Sequence, residues 1–225
     1  SEYTKNLAID CGVSSSQVTV INPGVNPAKE LNKKTIKEAE NLLKNKSPRL
    51  ITVSRLDKRK NHEKIIMTLR NLKQIYPNIV YTCVGDGDEE ENLKQLVKEL
   101  GLDEQVLFLK KISQDLKNTL VAKSNIFVMP SIFYKKSVEG FGIAFIEAAQ
   151  YGIPSIGGKD GGAADAIEHQ KNGLICDGNS LDEIYSSIND LLNDKKYLEY
   201  GKIAKENSTK FYWDKIIEKY KKILN

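Results

Sequence analysis

Cysteine and histidine are scarce in this chain of 225 residues: Cys11, Cys83 and Cys176 stand far apart with no Cys-x-x-Cys pair, and the histidines are two, His62 and His169. An odd, scattered set of thiols argues against a disulfide framework and against a zinc site, and describes reduced, small core residues of a cytosolic protein. Both histidines stand in polar surroundings without a partner at ligand spacing, which assigns them solvated or capping roles. No stretch approaches the roughly twenty apolar residues of a membrane span. The opening SEYTKNLAIDCG lacks the layout of a signal peptide. A cytoplasmic location follows as the expectation, with contact to the inner face of a membrane left open.

Charge of one sign is also lacking. Lysine and arginine number 34 against 30 acidic residues, leaving +4, and no dense basic block with interleaved aromatics is present, so nucleic acid is not an expected partner. Low-complexity segments and internal repeats are missing, and the length suits one large or two small domains with a sizeable core.

What is present is an alternation of strand-like and helix-like segments with short connections. Strands are expected at QVTVI (17–21), RLITVS, IVYTCV, QVLFL, NIFVM, PSIG and GLIC, and helices near 28–45, 61–75, 88–100, 113–123, 142–151 and 163–168. That order predicts an α/β fold, a doubly wound parallel sheet with helices on both faces. Three amphipathic segments, LDEIYSSINDLLN, KKYLEYGKIAKENSTKF and WDKIIEKYKKIL, close the chain as a helical tail. The expected division is 1–21 as a connection and first strand, 22–195 as the main domain and 196–225 as the tail.

Ligands of such sheets gather beyond the carboxyl ends of the strands, and the informative motifs all fall in those loops. Glu139 and Glu147 lie eight apart in EGFGIAFIE, the first in a glycine turn and the second inside a helix opening near Gly142. A helix N-terminus there would aim unpaired amides at an anion, and the two carboxylates could accept from hydroxyls on either side of it. The helix is apolar almost throughout, so Glu147 interrupts a run expected to be buried, where a carboxylate is rare without a purpose. NPGVN (22–26) follows the first strand, with Gly24 allowing close backbone approach. SRLDKRKNHEK follows the second, and Arg55, one of four arginines against thirty lysines, stands five before Lys60; a planar fork and a point charge together suit a diphosphate. Arg59 is expected to matter much less. VGDGDEEENL turns on Gly85 and Gly87 without the dinucleotide spacing, and its acidic run suits a helix's first turn rather than a pyrophosphate. The glycines at 157, 158, 161 and 162 suggest a mobile loop able to close over a ligand. The strand ends are read as offering no Asp-x-Asp site, so divalent-metal dependence is not expected.

NPGVN, SRL-x3-K, VGDG, VLFL, VMPS, EGFGIAFIEAAQYGIP, GGA and NGLI, in this order over roughly residues 15–180, resemble the retaining, nucleotide-sugar-dependent glycosyltransferases of family four, which pair two Rossmann-like domains in the GT-B architecture. Through NPGVN, VEGFGI and GGA the chain also resembles their phosphatidylinositol mannosyltransferase branch. The resemblance implies that Arg55 and Lys60 bind the donor diphosphate and act in catalysis with Glu139, which touches the donor sugar. It implies that Glu147 holds the ribose, that Gly140 and the amides of Phe141, Gly142 and Ile143 meet the sugar and phosphate, and that main chain at Lys111 and Ile112 meets the base; Gly24 and Gly85 complete the implied site. Two positions depart from the pattern: the glycine usual after the loop lysine is Asn61, expected as a helix cap, and the glycine usual after the VLFL strand is Lys110.

The resemblance further implies an N-terminal acceptor domain beyond this chain, with a GDP- or UDP-linked sugar as donor and a glycan or lipid as acceptor. No cofactor and no metal are expected. The last helix, near Trp213, is where such enzymes cross back to the first domain. The glutamates are expected to position the donor rather than serve as acid and nucleophile of a hydrolase. A GT-B epimerase fragment and a noncatalytic sugar-nucleotide-binding module remain the alternatives.

Overall fold

The computed structural model describes residues 1–224. Six parallel strands form one sheet: β1 (Arg49–Val53), β2 (Val80–Val84), β3 (Val106–Leu109), β4 (Ile126–Met129), β5 (Ser155–Gly158) and β6 (Gly173–Cys176). Their order is β3-β2-β1-β4-β5-β6. The helices are α1 (Glu2–Asp10), α2 (Lys33–Leu42), α3 (His62–Ile75), α4 (Glu90–Glu99), α5 (Gln114–Ala122), α6 (Ile143–Gln150), α7 (Leu181–Leu192), α8 (Tyr197–Ser208) and α9 (Trp213–Leu224).

Strands covered on both faces must be apolar on both, and alternate residues divide between two cores. Leu50, Tyr81, Ile126 and Val128 join the layer of α3, α4 and α7, built on Ile65, Leu69, Leu93, Ile184 and Ile188. Ile51, Val80, Phe127 and Met129 point the other way, to α2, α5 and α6 through Ala39, Leu120 and Phe145. The parallel sheet and its two helical layers confirm the expected fold class.

Several elements differ from expectation. The alternating run at 17–21 forms no strand; only a short turn at Ser15–Gln17 occurs, and Val18 and Val20 are half-buried. Alternation yields a strand only where a ladder partner lies alongside, and here the nearest pairing is a single bridge from Val25 to Tyr212. In place of the helix expected at 163–168 there is a short 3-10 turn, Gly162–Asp165. Residues Glu2–Asp10 form α1, whose N-cap Ser1 makes a reciprocal capping box with Thr4. Cys83 and Cys176 are buried as expected, whereas Cys11 is exposed.

His62 reverses its assignment. It is 1% exposed, and its ring bonds to the Tyr81 hydroxyl at 2.7 Å and to the Ser54 hydroxyl at 3.1 Å. Thr52 bonds in turn to Tyr81 at 2.8 Å and to the carbonyl of Val128. This chain of side chains ties β1, β2 and β4 to the first turn of α3. Burial pushes the His62 pKa down from 6.5 to about 4. Its neutral form is favoured in the fold, so the unfolded chain takes up the proton first as pH falls, and stability declines from about pH 6.5 toward pH 4. Between pH 7 and pH 5 this contributes a loss of roughly 2 kcal/mol. Urea titrations at both pH values should show His62→Gln losing less stability than wild type over that interval by about that amount; equal losses would refute the linkage.

Candidate functional site

Strand order reverses between β1 and β4: from β1 the chain winds outward through β2 and β3, and from β4 through β5 and β6. Loops leaving β1 and β4 therefore diverge, opening the crevice where doubly wound sheets bind ligands. The loop after β1 is strapped to the loop after β2, because Ser54 N–H donates to Val84 C=O at 3.0 Å and Leu56 N–H to Asp86 C=O at 2.8 Å. Gly85 makes this approach possible. At φ 146° a Cβ there would stand 1.9 Å from the Ser54 carbonyl oxygen, so its placement serves loop-to-loop packing.

Asp57 caps the short turn Lys58–Lys60 by accepting from the Lys60 amide at 3.0 Å. Asn61 then takes φ 63°, the left-handed conformation that asparagine tolerates better than most non-glycine residues. It occupies the cap position of α3, but its side chain does not cap. The amide donates instead to the carbonyls of Pro130 at 3.0 Å and Gly178 at 2.7 Å, fastening the phosphate-loop candidate to the loops after β4 and β6.

The outcome is an ion cluster at the crevice. Glu139, 12% exposed, pairs with Lys60, also 12% exposed, and with Arg59 Nη1 at 3.1 Å. Lys60 Nζ also lies 3.5 Å from the Met129 sulfur at the end of β4. Arg55 is not in this cluster. It is 78% exposed and pairs with Asp57 at 3.3 Å. Arg59, expected to be peripheral, is the arginine that meets Glu139; two arginines in one loop left the sequence no means of deciding which faces inward.

Glu139 is also fixed through its backbone. Gly162 N–H donates to Glu139 C=O at 2.7 Å, and Glu139 bridges Gly161. The glycine segment expected to be mobile is thus packed: Gly157 and Gly158 belong to β5, and Gly161 and Gly162 are buried against Glu139 and Gly140. Beyond them Gly142 adopts φ 85°, where a Cβ would strike the Phe145 ring at 2.4 Å, and no side chain caps the α6 N-terminus it opens. Phe141 is buried, Ile143 is exposed, and the space beside Gly140 is open.

Glu147 lies four residues beyond Ile143 on the same side of α6. It is not buried as the apolar run suggested: its side chain is 41% exposed and held by Lys117 Nζ at 2.9 Å. It lines a cleft of about 330 Å³ with Gly24, Asn26, Gln114, Asn118 and Trp213. Glu139, Arg55 and Lys60 do not line that cleft. Gly24 packs face-on to Trp213, whose ring a Cβ would meet at 2.5 Å. Lys111, exposed and at φ 54°, and half-buried Ile112 follow β3, while Lys110 pairs with Glu90 at 2.9 Å. Against the expectation of no Asp-x-Asp at a strand end, Asp86 and Asp88 have that spacing after β2; both are exposed, and among the described residues no group of three or more His, Cys, Asp or Glu could hold a metal ion.

A doubly wound domain carrying its loop motifs along this edge has the architecture of one half of a GT-B glycosyltransferase. The family model of the glycosyl transferases group 1 matches residues 33–210, and the chain belongs to that family. It is 30% identical over 176 residues to a GDP-mannose-dependent alpha-(1-6)-phosphatidylinositol monomannoside mannosyltransferase of Mycobacterium tuberculosis, covering 76% of this chain and 46% of the relative. The crystal structure of HepE from Anabaena in complex with UDP and glucose superposes with a TM-score of 0.85 at 23% identity, over 100% of this chain and 61% of that one. The C-terminal domain of a glycosyl transferase group 1 family protein, LpcC from Francisella tularensis, superposes with a TM-score of 0.69 at 21% identity, over 84% of this chain and 96% of that one. The chain spans about half the length of the curated relatives it matches.

The packing at Gly161 makes Glu139 dependent on it. A Cβ at this φ of 127° would stand 2.5 Å from the Glu139 carbonyl oxygen. Gly161→Ala should therefore destabilise the fold by about 2 kcal/mol or more, a strained backbone and a steric clash acting together. Chemical denaturation would show it, and an unchanged midpoint would refute the packing account.

Proposed function

We propose that this chain is the donor-binding domain of a retaining glycosyltransferase, one that moves a hexose from a nucleoside-diphosphate sugar to an acceptor hydroxyl. The observation that carries this reading is the pairing of Glu139 with Lys60 and Arg59 beside the uncapped N-terminus of α6, at the sheet's switch point. A departing diphosphate accumulates negative charge, and preorganised amides and cations stabilise such charge best in a partly dehydrated site. Lys60 stands ready to turn from Glu139 to a phosphate, while Arg59 keeps the carboxylate neutralised. Arg55, held only by an exposed pair with Asp57, can swing onto the same group. Glu139 then accepts from donor-sugar hydroxyls and Glu147 from the ribose. None of these roles needs a divalent ion.

Relatives support both donor bases: the mycobacterial enzyme is named for GDP-mannose, and the Anabaena structure holds UDP and glucose. A GDP- or UDP-linked hexose is accordingly proposed, with an acceptor glycan or lipid. The partner domain of the longer relatives would supply the acceptor side, so this piece alone should bind without turning over. A cytoplasmic enzyme resting on the inner face of a membrane is consistent with a lipid acceptor. Among the described residues no helix is long and apolar enough to cross a membrane.

Calorimetry in chelator should detect UDP or GDP binding, and binding seen only with added magnesium or manganese would sink the metal-free part. Lys60→Ala and Arg55→Ala should each weaken the diphosphate about ten- to hundredfold, the scale of one charge-assisted hydrogen bond. Glu139→Gln should leave bare diphosphate binding intact, or tighten it by releasing Lys60, and should abolish the added affinity for the intact donor. Transfer assays with a partner domain restored would separate an enzyme from a noncatalytic binding module.

A further inference from the structure

Lys117, on α5, reaches the carboxylate of Glu147, the acidic residue that lines the cleft beside Trp213. Its side chain is 13% exposed against 41% for Glu147, and its Nζ lies 2.9 Å from Glu147 Oε2. Among the described residues this is its one hydrogen bond. Lysine is rarely buried to this degree unless paired. The pair joins the second turn of α5 to the second turn of α6, both packed on the same face of the sheet.

The geometry is asymmetric in a way that matters for a ligand. Lys117 occupies Oε2, whereas Oε1 has no hydrogen-bond partner among the described residues. An ionised carboxylate only accepts, and one oxygen can accept from two neighbouring hydroxyls. A glutamate on a half-exposed helix face otherwise samples several rotamers, and a ligand would have to order it on binding. Fixing one oxygen from the protein side removes that ordering cost in advance. Tyr151, one turn beyond Glu147, is pushed up by burial and then by the charges of Glu147 and Asp115. Lys29 lines the same cleft as Glu147, and Lys117 is the cation that bonds to the carboxylate.

We propose that Lys117 is a positioning residue: it holds the Glu147 carboxylate for a vicinal diol and thereby makes the site selective for ribonucleoside over 2′-deoxyribonucleoside diphosphates. This rests on the nucleotide-sugar reading above. Lys117 touches the carboxylate and not the ligand. Its loss is therefore felt only by ligands that own the diol, whereas loss of a general positive charge would be felt by every diphosphate.

Calorimetry of the whole chain with UDP and GDP, each beside its 2′-deoxy counterpart, tests this on wild type, Lys117→Met, Lys117→Arg and Glu147→Ala, with thermal melts to confirm folding. Wild type should prefer the ribonucleotide by about tenfold or more, one good hydrogen bond to a charged group. Lys117→Met should remove most of that preference by weakening the ribonucleotide alone, Lys117→Arg should restore most of it, and Glu147→Ala should abolish it. Equal weakening of ribo and deoxy ligands in Lys117→Met would overturn the proposal, showing a diffuse charge effect. So would a preference kept in Lys117→Met and lost in Glu147→Ala, which would leave the nucleotide reading standing. If wild type and Glu147→Ala bind ribo and deoxy forms alike, the ribose assignment of the cleft fails first and the role of Lys117 falls with it.

Discussion

The divergence of the chain at β1 and β4 is the constraint from which the site follows. Parallel strands leave their last carbonyls and the next helix's first amides on one edge, and only where the order reverses do the neighbouring loops part to leave that edge open. Every group of the ion cluster is carried by one of the two parting loops: Arg59 and Lys60 by the loop after β1, Glu139 by the loop after β4. The remaining loops act as supports. Gly85 brings the β2 loop against Ser54, Asn61 ties the β1 loop to Pro130 and Gly178, and Gly161 and Gly162 press on Glu139. Holding a carboxylate and two cations at low exposure is costly unless each is paired, and the supports hold the pairing in place.

The strands were legible because burial on both faces demands continuous apolar runs, and runs such as VYTCV and IFVM admit little else. The 17–21 segment misled for the same reason: alternation records which side chains want burial, not whether a ladder partner exists, and that depends on where 200 other residues go. Glu147 misled through its neighbours. Ile143 and Glu147 share one stripe of α6 while Phe145, Ile146, Ala148 and Ala149 take the buried stripe, so an apolar count along the helix overstates the burial of any one position. Glycines were legible as points of close approach but not in what approaches. Those at 157–162 suggest freedom in sequence and serve as packing surfaces in the fold, and Gly24 receives the Trp213 indole.

Which arginine faces Glu139 lay beyond the sequence for a related reason. Arg55 precedes and Arg59 lies within a turn whose direction is set by Asp57 capping Lys60 and by Asn61 entering the left-handed region. Side-chain placement in such a turn depends on two backbone angles at 61 and on two hydrogen bonds to residues 130 and 178. The separation between Arg55 and Lys60 carries no information about either. His62 shows the same limit, because a histidine in the polar run KRKNHEK is buried with its ring bonded to Tyr81 of β2, which Thr52 of β1 bonds in turn.

The two glutamates lie on different sides of one helix end, and this separation bears on the proposed donor. Glu139 precedes the α6 N-terminus and Glu147 lies one turn and a half into it, which at about 1.5 Å per residue puts them on either side of the free amides rather than at one point. A ligand meeting both must be extended, anionic in its middle and rich in hydroxyls at its two ends. A simple phosphate would use the amides alone and leave both carboxylates idle; a neutral sugar would use one carboxylate and ignore the cations. The placement of charge along this edge, cations and free amides flanked by two acceptors, is thus better matched by a sugar joined through a diphosphate to a ribose than by any of its parts, and the flanking carboxylates are already held by their pairs with Arg59 and Lys117.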